Sequence, residues 1–302
     1  MKIEDIKNIV VSGTTYKNTE KILGSGGFAT CFLFTNETTN ELVAGKIIIK
    51  TKKNEALIER EINIHKNLKN KFVCEIFTYA NDLPLYSVLF MEHCDETLKN
   101  KIGHLKDEEA TRYLAQLVTG LDYLHENLIF HRDIKPENIL LKDNSVKITD
   151  FGLSLKVKTK YQRYKEVAGT AFYLSPEVFK KDFNINADIW ALGVLAYKLV
   201  TGVFPFTGNG LDDLHKRVET MKCDLTIVPD NFKEFITDIF VPDWADADNR
   251  GPRPDAAKLK GHTLFDDIDF LNLFGLRKNR TKTKTKTKTK TKTKFKRSKK
   301  KI

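Results

Sequence analysis

The chain has 302 residues, 41% hydrophobic and 30% charged, enough to bury a sizeable core in one two-lobed domain or two small ones. No run approaches the ~18 apolar residues of a membrane span, and MKIEDIKNIV alternates charged and apolar residues where a secretory leader would be continuously apolar, so an intracellular protein of cytoplasm or nucleus is expected. The formal charge of +11 is uneven: fifteen Lys or Arg and no acid fall in 277–302, which leaves −4 for residues 1–276.

In chain order, residues 1–16 read as an extension ahead of the folded domain. Residues 17–50 carry strand-like alternation around GSGG and a turn at NETTN, which predicts a small sheet. A helix is predicted over 55–69, with Leu57, Ile58, Ile62, Ile64 and Leu68 near one face. A longer amphipathic helix starts at 108, and 185–202 is apolar on nearly all sides, as in a helix buried in a large domain. A strand-rich first third and a helical remainder predict an α+β, two-lobed fold, a small antiparallel sheet with one main helix followed by a larger helical lobe. Residues 266–302 include seven Thr-Lys dipeptides, Thr281 to Lys294, with no hydrophobic period, and read as a basic disordered tail. The four cysteines, Cys31, Cys74, Cys94 and Cys223, show no CxxC spacing and fit reduced thiols.

The glycines of Gly24-Ser25-Gly26-Gly27-Phe28-Ala29 lie between strand-like runs, where a missing Cβ lets backbone approach phosphate oxygens; taken alone they favour the plainer reading of a glycine-rich hairpin turn. Lys46 ends a following strand within reach of such phosphates, and Glu61 on the next helix is placed to hold its ammonium, although each singly is an ordinary surface residue. The decisive stretch is His131-Arg132-Asp133-Ile134-Lys135-Pro136-Glu137-Asn138, with Asp150-Phe151-Gly152 twelve residues after Asn138. Phosphoryl transfer needs a carboxylate that orients the attacking hydroxyl and oxygen ligands that hold magnesium against phosphates, and Asp133, Asn138 and Asp150 supply these.

On these motifs residues 17–265 resemble the protein kinase superfamily, with an N-lobe of 17–92 and a C-lobe of 93–265. The resemblance implies ATP and Mg2+, with Leu23, Gly24, Ser25, Gly26, Gly27, Phe28, Ala29, Thr30 and Cys31 over the phosphates, and Lys46, paired with Glu61, on the α- and β-phosphates. It implies that Asp133 orients the substrate hydroxyl, Lys135 steadies the γ-phosphate, and Asn138 and Asp150 ligate magnesium. Met91 to Cys94 resembles the hinge that meets adenine, with Glu92 and Cys94 as contact residues. Lys135 and Gly169-Thr170 resemble the serine/threonine class. Ser175-Pro176-Glu177 implies an ion pair from Glu177 to Arg253, and Asp188 resembles a brace for the catalytic loop. LGSGGFATCF and EINIHKNL resemble polo-like kinases, without polo boxes.

Protein substrates bearing Ser or Thr are therefore expected, with a monomeric enzyme and no transmembrane segment. Arg132 in such enzymes pairs with an activation-segment phosphate, and Glu166 is expected to supply a permanent charge in its place, giving activity without an upstream kinase. Glu137 favours Arg or Lys flanking the target hydroxyl. The tail offers such sites in Thr281, after Arg277, Lys278 and Arg280, and in Ser298, after Arg297. Its fifteen charges would also attract nucleic acid or an anionic membrane without sequence choice.

Overall fold

A computed structural model describes residues 6–27, 29–243 and 252–273. Phe28 and the Thr-Lys repeat therefore lie outside the described residues. The chain divides into two units, 1–269 and 270–302.

The first unit begins with a six-stranded antiparallel sheet made of β1 (Asn8–Val11), β2 (Thr14–Ser25), β3 (Ala29–Asn36), β4 (Leu42–Ile49), β5 (Ile76–Ala80) and β6 (Tyr86–Glu92), in the order β1-β2-β3-β4-β6-β5. Residues 8–16, read from sequence as part of an extension, supply its edge: Val11 pairs with Thr14 and Asn8 with Lys17. Ser12 and Gly13 both take positive φ between these strands, a turn twist that suits a tight hairpin, and Ile9, Val11 and Tyr16 are buried. Along β6 the period of two sorts side chains between faces. Val88 and Phe90 pack with Tyr16, Phe34 and Ile47, while Leu89 and Met91 pack with Ile58 and Ile62 of the helix α1 (Glu55–His65).

Helix α1 stops at His65 rather than at 69, because Lys66 N–H closes on Ile62 O and the chain turns, with Leu68 N–H donating to His65 O. Its buried stripe is Ile58, Glu61, Ile62, Ile64 and His65, whereas Leu57 is exposed. A charge and an imidazole thus face inward where periodicity alone had placed a leucine.

The rest of this unit carries β7 (Glu96–Thr97), a 3-10 turn at Leu98–Lys101, α2 (Asp107–Glu126), β8 (Ile129–Phe130), β9 (Ile139–Lys142), β10 (Ser145–Ile148), β11 (Leu155–Lys156), α3 (Pro176–Phe179), α4 (Ala187–Thr201), α5 (Leu211–Glu219), α6 (Asp230–Ile239) and α7 (Ala256–Leu259). Helix α4 is buried nearly all round, as its composition predicts, and ends on Gly202 at φ +81°. Trp190 on it stacks on Phe206 at a ring separation of 5.5 Å and meets Phe240 at a tilt, at 4.8 Å. Of the second unit, the described part is the helical turn α8 (Phe270–Leu273), in a stretch read from sequence as tail.

Candidate active site

The twelve-residue spacing between Asn138 and Asp150 is the length of one hairpin. Strands β9 and β10 pair from Lys142↔Ser145 to Ile139↔Ile148, and Asp143 and Asn144 turn the chain with φ of +49° and +58°. Thr149 N–H then donates to Asn138 O at 3.0 Å, so the hairpin delivers Asn138 and Asp150 side by side.

The loop 131–138 holds a conformation that local sequence does not favour. Arg132 sits at φ +71° and Asp150 at φ +64°, sparsely populated for residues with a Cβ and retained only where the surroundings impose them. Asp188, in the first turn of α4, imposes the first: its carboxylate accepts from the N–H groups of His131 and Arg132, each at 2.9 Å, and meets His125 Nε2 at 3.1 Å. The brace expected of Asp188 is therefore in place, and it is buried.

Asp133 is gripped by three side chains. Thr170 Oγ1 donates to its Oδ1 at 2.8 Å, Asn138 Nδ2 donates to its Oδ2 at 2.9 Å, and Lys135 Nζ lies 2.7 Å from Oδ2 while also donating to Thr170 at 2.8 Å. Thr170 is a functional residue that sequence reasoning used only as a class marker. Its signal was Gly169, which at φ +113° approaches so closely that a Cβ there would lie 2.5 Å from Arg132 O.

Lys46 Nζ bridges Glu61 at 2.6 Å and Asp150 Oδ1 at 2.9 Å. Burial alone would push this ammonium down, but Glu61 and then Asp150 hold it above the usual lysine range. Burial likewise acts to raise Asp150, and Lys46 more than offsets it, so the carboxyl stays below its ordinary value. Glu61 thus holds the lysine and spends its own charge there. Behind Asp150, the buried Phe151 ring rests on His65 of α1 at 4.4 Å and on His131 at 5.1 Å.

The glycine hairpin differs in kind. Gly24 pairs with Cys31 and Ser25 with Thr30, and Gly26 N–H closes on Ala29 O at 2.8 Å. Leu23, Gly24, Ser25, Gly26 and Gly27 are exposed, while Ala29, Thr30 and Cys31 are half-buried. Burial pushes the Cys31 thiol up to about 11, with Lys46 partly opposing. At the hinge, the Glu92 carboxylate is turned to structure: it accepts from Glu75 N–H at 2.9 Å and pairs with Lys147 at 2.7 Å and Lys142 at 3.5 Å. Its main chain is engaged as well, the N–H donating to Glu75 O at 3.0 Å and the carbonyl facing Cys74 Sγ at 3.9 Å. Cys94 follows as the chain leaves β6, and its thiol, ahead of burial, raises that of Cys74 well above the ordinary value.

The donor set suits a hard cation. Asn138 spends its amide N–H groups on Asp133 and keeps Oδ1; Asp150 spends Oδ1 on Lys46 and keeps Oδ2. Two oxygen ligands without a cage of their own match magnesium, which keeps waters and shares phosphate oxygens.

Around the centre, Arg253 forms a buried two-armed pair with Glu177, one contact at 3.2 Å, as the sequence implies. Burial works to raise Glu177, but Arg253 holds it below the ordinary carboxylate range. The contact expected between Arg132 and the Glu166 carboxylate takes another form: Arg132 Nη2 donates to the backbone carbonyl of Glu166 at 2.8 Å and Nη1 to Leu153 O at 3.5 Å, and no ion pair joins the two side chains among the described residues. Glu137 sits half-exposed with Lys99 Nζ at 3.4 Å, a neighbour that sequence alone did not reveal.

Comparison with known proteins agrees with this geometry. The profile of the protein kinase domain matches residues 17–259. Serine/threonine-protein kinase PLK2 of Mus musculus is 34% identical over 227 residues, covering 70% of this chain and 33% of PLK2. An Aurora kinase of Candida glabrata is 34% identical over 238 residues, 73% of this chain and 64% of its own length. Serine/threonine-protein kinase polo of Drosophila melanogaster is 33% identical over 225 residues, 70% of this chain and 38% of polo. The chain spans about a third of the length of PLK2.

Proposed function

Since the chain belongs to the protein kinase domain family, we propose that it is a serine/threonine protein kinase that moves the γ-phosphoryl group of ATP to Ser or Thr hydroxyls of protein substrates. The observation that carries this reading is the grip on Asp133: three donors fix both carboxylate oxygens, so a substrate hydroxyl meets a base that is already aimed. Lys46, held by Glu61 and Asp150, presents a fixed positive charge to the α- and β-phosphates. Lys135, tied to both Asp133 and Thr170, stands where the transferring phosphoryl meets the acceptor. Asn138 Oδ1 and Asp150 Oδ2 would hold magnesium, whose bound charge offsets that of the phosphates. The free thiols among the described residues fit a reducing compartment, cytoplasm or nucleus.

Two finer readings belong to the same proposal. Activity without activation-segment phosphorylation is supported by Arg132, which already holds that segment through the carbonyls of Leu153 and Glu166. A lean toward basic substrates is supported by Glu137, whose half-exposed carboxylate is met by one exposed lysine.

The test is transfer of label from radiolabelled ATP to a generic basic protein by chain that mass spectrometry shows to be unphosphorylated. Transfer is expected at a rate that Asp133→Asn lowers by about a thousandfold. Folded protein whose transfer does not exceed that of Asp133→Asn would sink the reading. Transfer that appears only after phosphorylation of a residue such as Thr159 would sink the constitutive part alone.

A further inference from the structure

An acidic rim of two carboxylates, Glu96 and Glu137, borders the loop that carries Asp133. Strand β7 seats Glu96 opposite Leu141 of β9, and the 3-10 turn that follows, Leu98–Lys101, supplies the cations that meet this rim. Lys101 Nζ is 2.7 Å from Glu96, and Lys99 Nζ is 3.4 Å from Glu137, with the Lys99 side chain 60% exposed. A solvent-exposed pair at that separation is weak and exchanges readily with another cation. Glu137 is therefore a carboxylate beside the reacting centre, covered by an ammonium that an incoming lysine can replace.

The same chain carries a segment of matching chemistry. In Thr281 to Lys294 every threonine but the first has lysine at the position before it, and all seven have lysine at the position after; from Thr285 onward lysine also stands three before. Each step of two residues presents an equivalent site, so binding needs no particular register. Length permits the encounter. Thirty-three residues follow Asp269, where the first unit ends, and at ~3.3–3.6 Å per residue Thr281 reaches about 40 Å and Thr293 about 80 Å. A domain of this size has a radius of gyration near ~18 Å. Charge favours it as well, since residues 277–302 hold fifteen cations and the remainder of the chain is net −4.

We propose that the Thr-Lys repeat is a substrate of this chain's own site, taken through exchange of Lys99 for a tail lysine at Glu137, and that its multiple phosphorylation switches the tail from polycation to near-neutral. The proposal rests on the kinase reading above. In each event a threonine Oγ bonds to the γ-phosphorus of ATP, the bond from that phosphorus to the β,γ-bridging oxygen breaks and ADP leaves. The hydroxyl proton passes to Asp133 and on to water. Each phosphothreonine adds about −1.5 to −2, so seven add about −10 to −14 against the fifteen tail cations.

The experiment incubates full-length active chain and full-length Asp133→Asn chain with Mg-ATP, maps phosphate by mass spectrometry, and compares free peptides of seven Thr-Lys and seven Thr-Gln repeats as substrates, with a generic basic protein alongside. Phosphate on several of Thr281 to Thr293 is expected in the active chain and none in Asp133→Asn, with elution from a cation exchanger moved to lower salt. The Thr-Lys peptide is expected to exceed the Thr-Gln peptide about tenfold in kcat/KM, a preference that Glu137→Gln reduces to about threefold or less. Label on the generic protein with an unmodified tail overturns this inference and leaves the kinase reading standing. Equal rates on the two peptides overturn the role of the rim. No transfer to any acceptor overturns the kinase reading and this inference with it.

Discussion

Two parts of the site are built in opposite ways. In the loop 131–138, His131, Arg132, Asp133 and Asn138 are buried and fixed by protein contacts: backbone N–H groups donate to Asp188, His131 meets Thr149 O, and Thr170 and Lys135 hold Asp133. In the glycine hairpin, residues 21–27 are exposed, and among the described residues the turn closes on a backbone hydrogen bond from Gly26 to Ala29. The difference separates chemistry that must be aimed beforehand from a cover that takes its final shape against what it binds. Substitutions in the first region should therefore cost stability and rate together, and those in the second should cost nucleotide affinity alone.

The largest effect should come from Asp188→Ala. It leaves two buried backbone N–H groups and His125 without their acceptor and frees Arg132 from its left-handed conformation. A loss of about 3–5 kcal/mol is expected by chemical denaturation, with phosphotransfer falling in parallel. A loss under about 1 kcal/mol would break the contrast, because the loop would then hold itself.

A pH test sharpens the buried side. His65 Nε2 lies 2.6 Å from Cys74 O, while its Nδ1 has no partner. Burial is the main cause that lowers its pKa from 6.5 to about 4. A depressed imidazole pKa means that the unfolded chain takes up a proton first as pH falls. Stability is then full above about pH 6.5, declines between about 6.5 and 4, and changes no further from this group below that. The linkage amounts to about 2 kcal/mol at pH 5 and about 3 kcal/mol at pH 4. In His65→Leu the fall in Tm over that window should be smaller by this share. An unchanged pH slope in that variant would assign the acid sensitivity elsewhere.

Legibility follows the same division. The motifs around Asp133, Asn138 and Asp150 singled these residues out and the resemblance implied their roles; a hairpin of fixed length separates the last two, and its register is local. The order of strand and helix already suggested the Lys46 to Glu61 pair, and the resemblance supplied Glu177 with Arg253, and Asp188. What stayed hidden depends on contacts between distant segments. Thr170 reaches Asp133 across 37 positions because Gly169 lets two backbones touch, and Lys99 meets Glu137 across 38. The Glu166 expectation placed the residue correctly beside Arg132 but not the atom, since charge type says nothing of whether a side chain or a carbonyl faces inward. The β1 edge was missed because a four-residue strand at a chain end carries too short a pattern to register.

The smallest effect on stability, and the sharpest test of the contrast, belongs to the hairpin glycines. A Cβ built on Gly24 meets nothing within 4 Å, and one on Gly26 meets only Ala29 O at 3.9 Å; neither residue has positive φ. The fold itself therefore has no use for glycine at these positions, and alanine there should leave Tm within about 2 °C, since a strand or turn site of compatible conformation tolerates the exchange. If the missing Cβ serves close approach to phosphate oxygens, Gly24→Ala and Gly26→Ala should each raise the KM for ATP by about three- to tenfold, while the KM for the protein substrate stays unchanged. A fall in Tm with unaltered nucleotide KM would reverse the assignment and make these glycines a requirement of the turn.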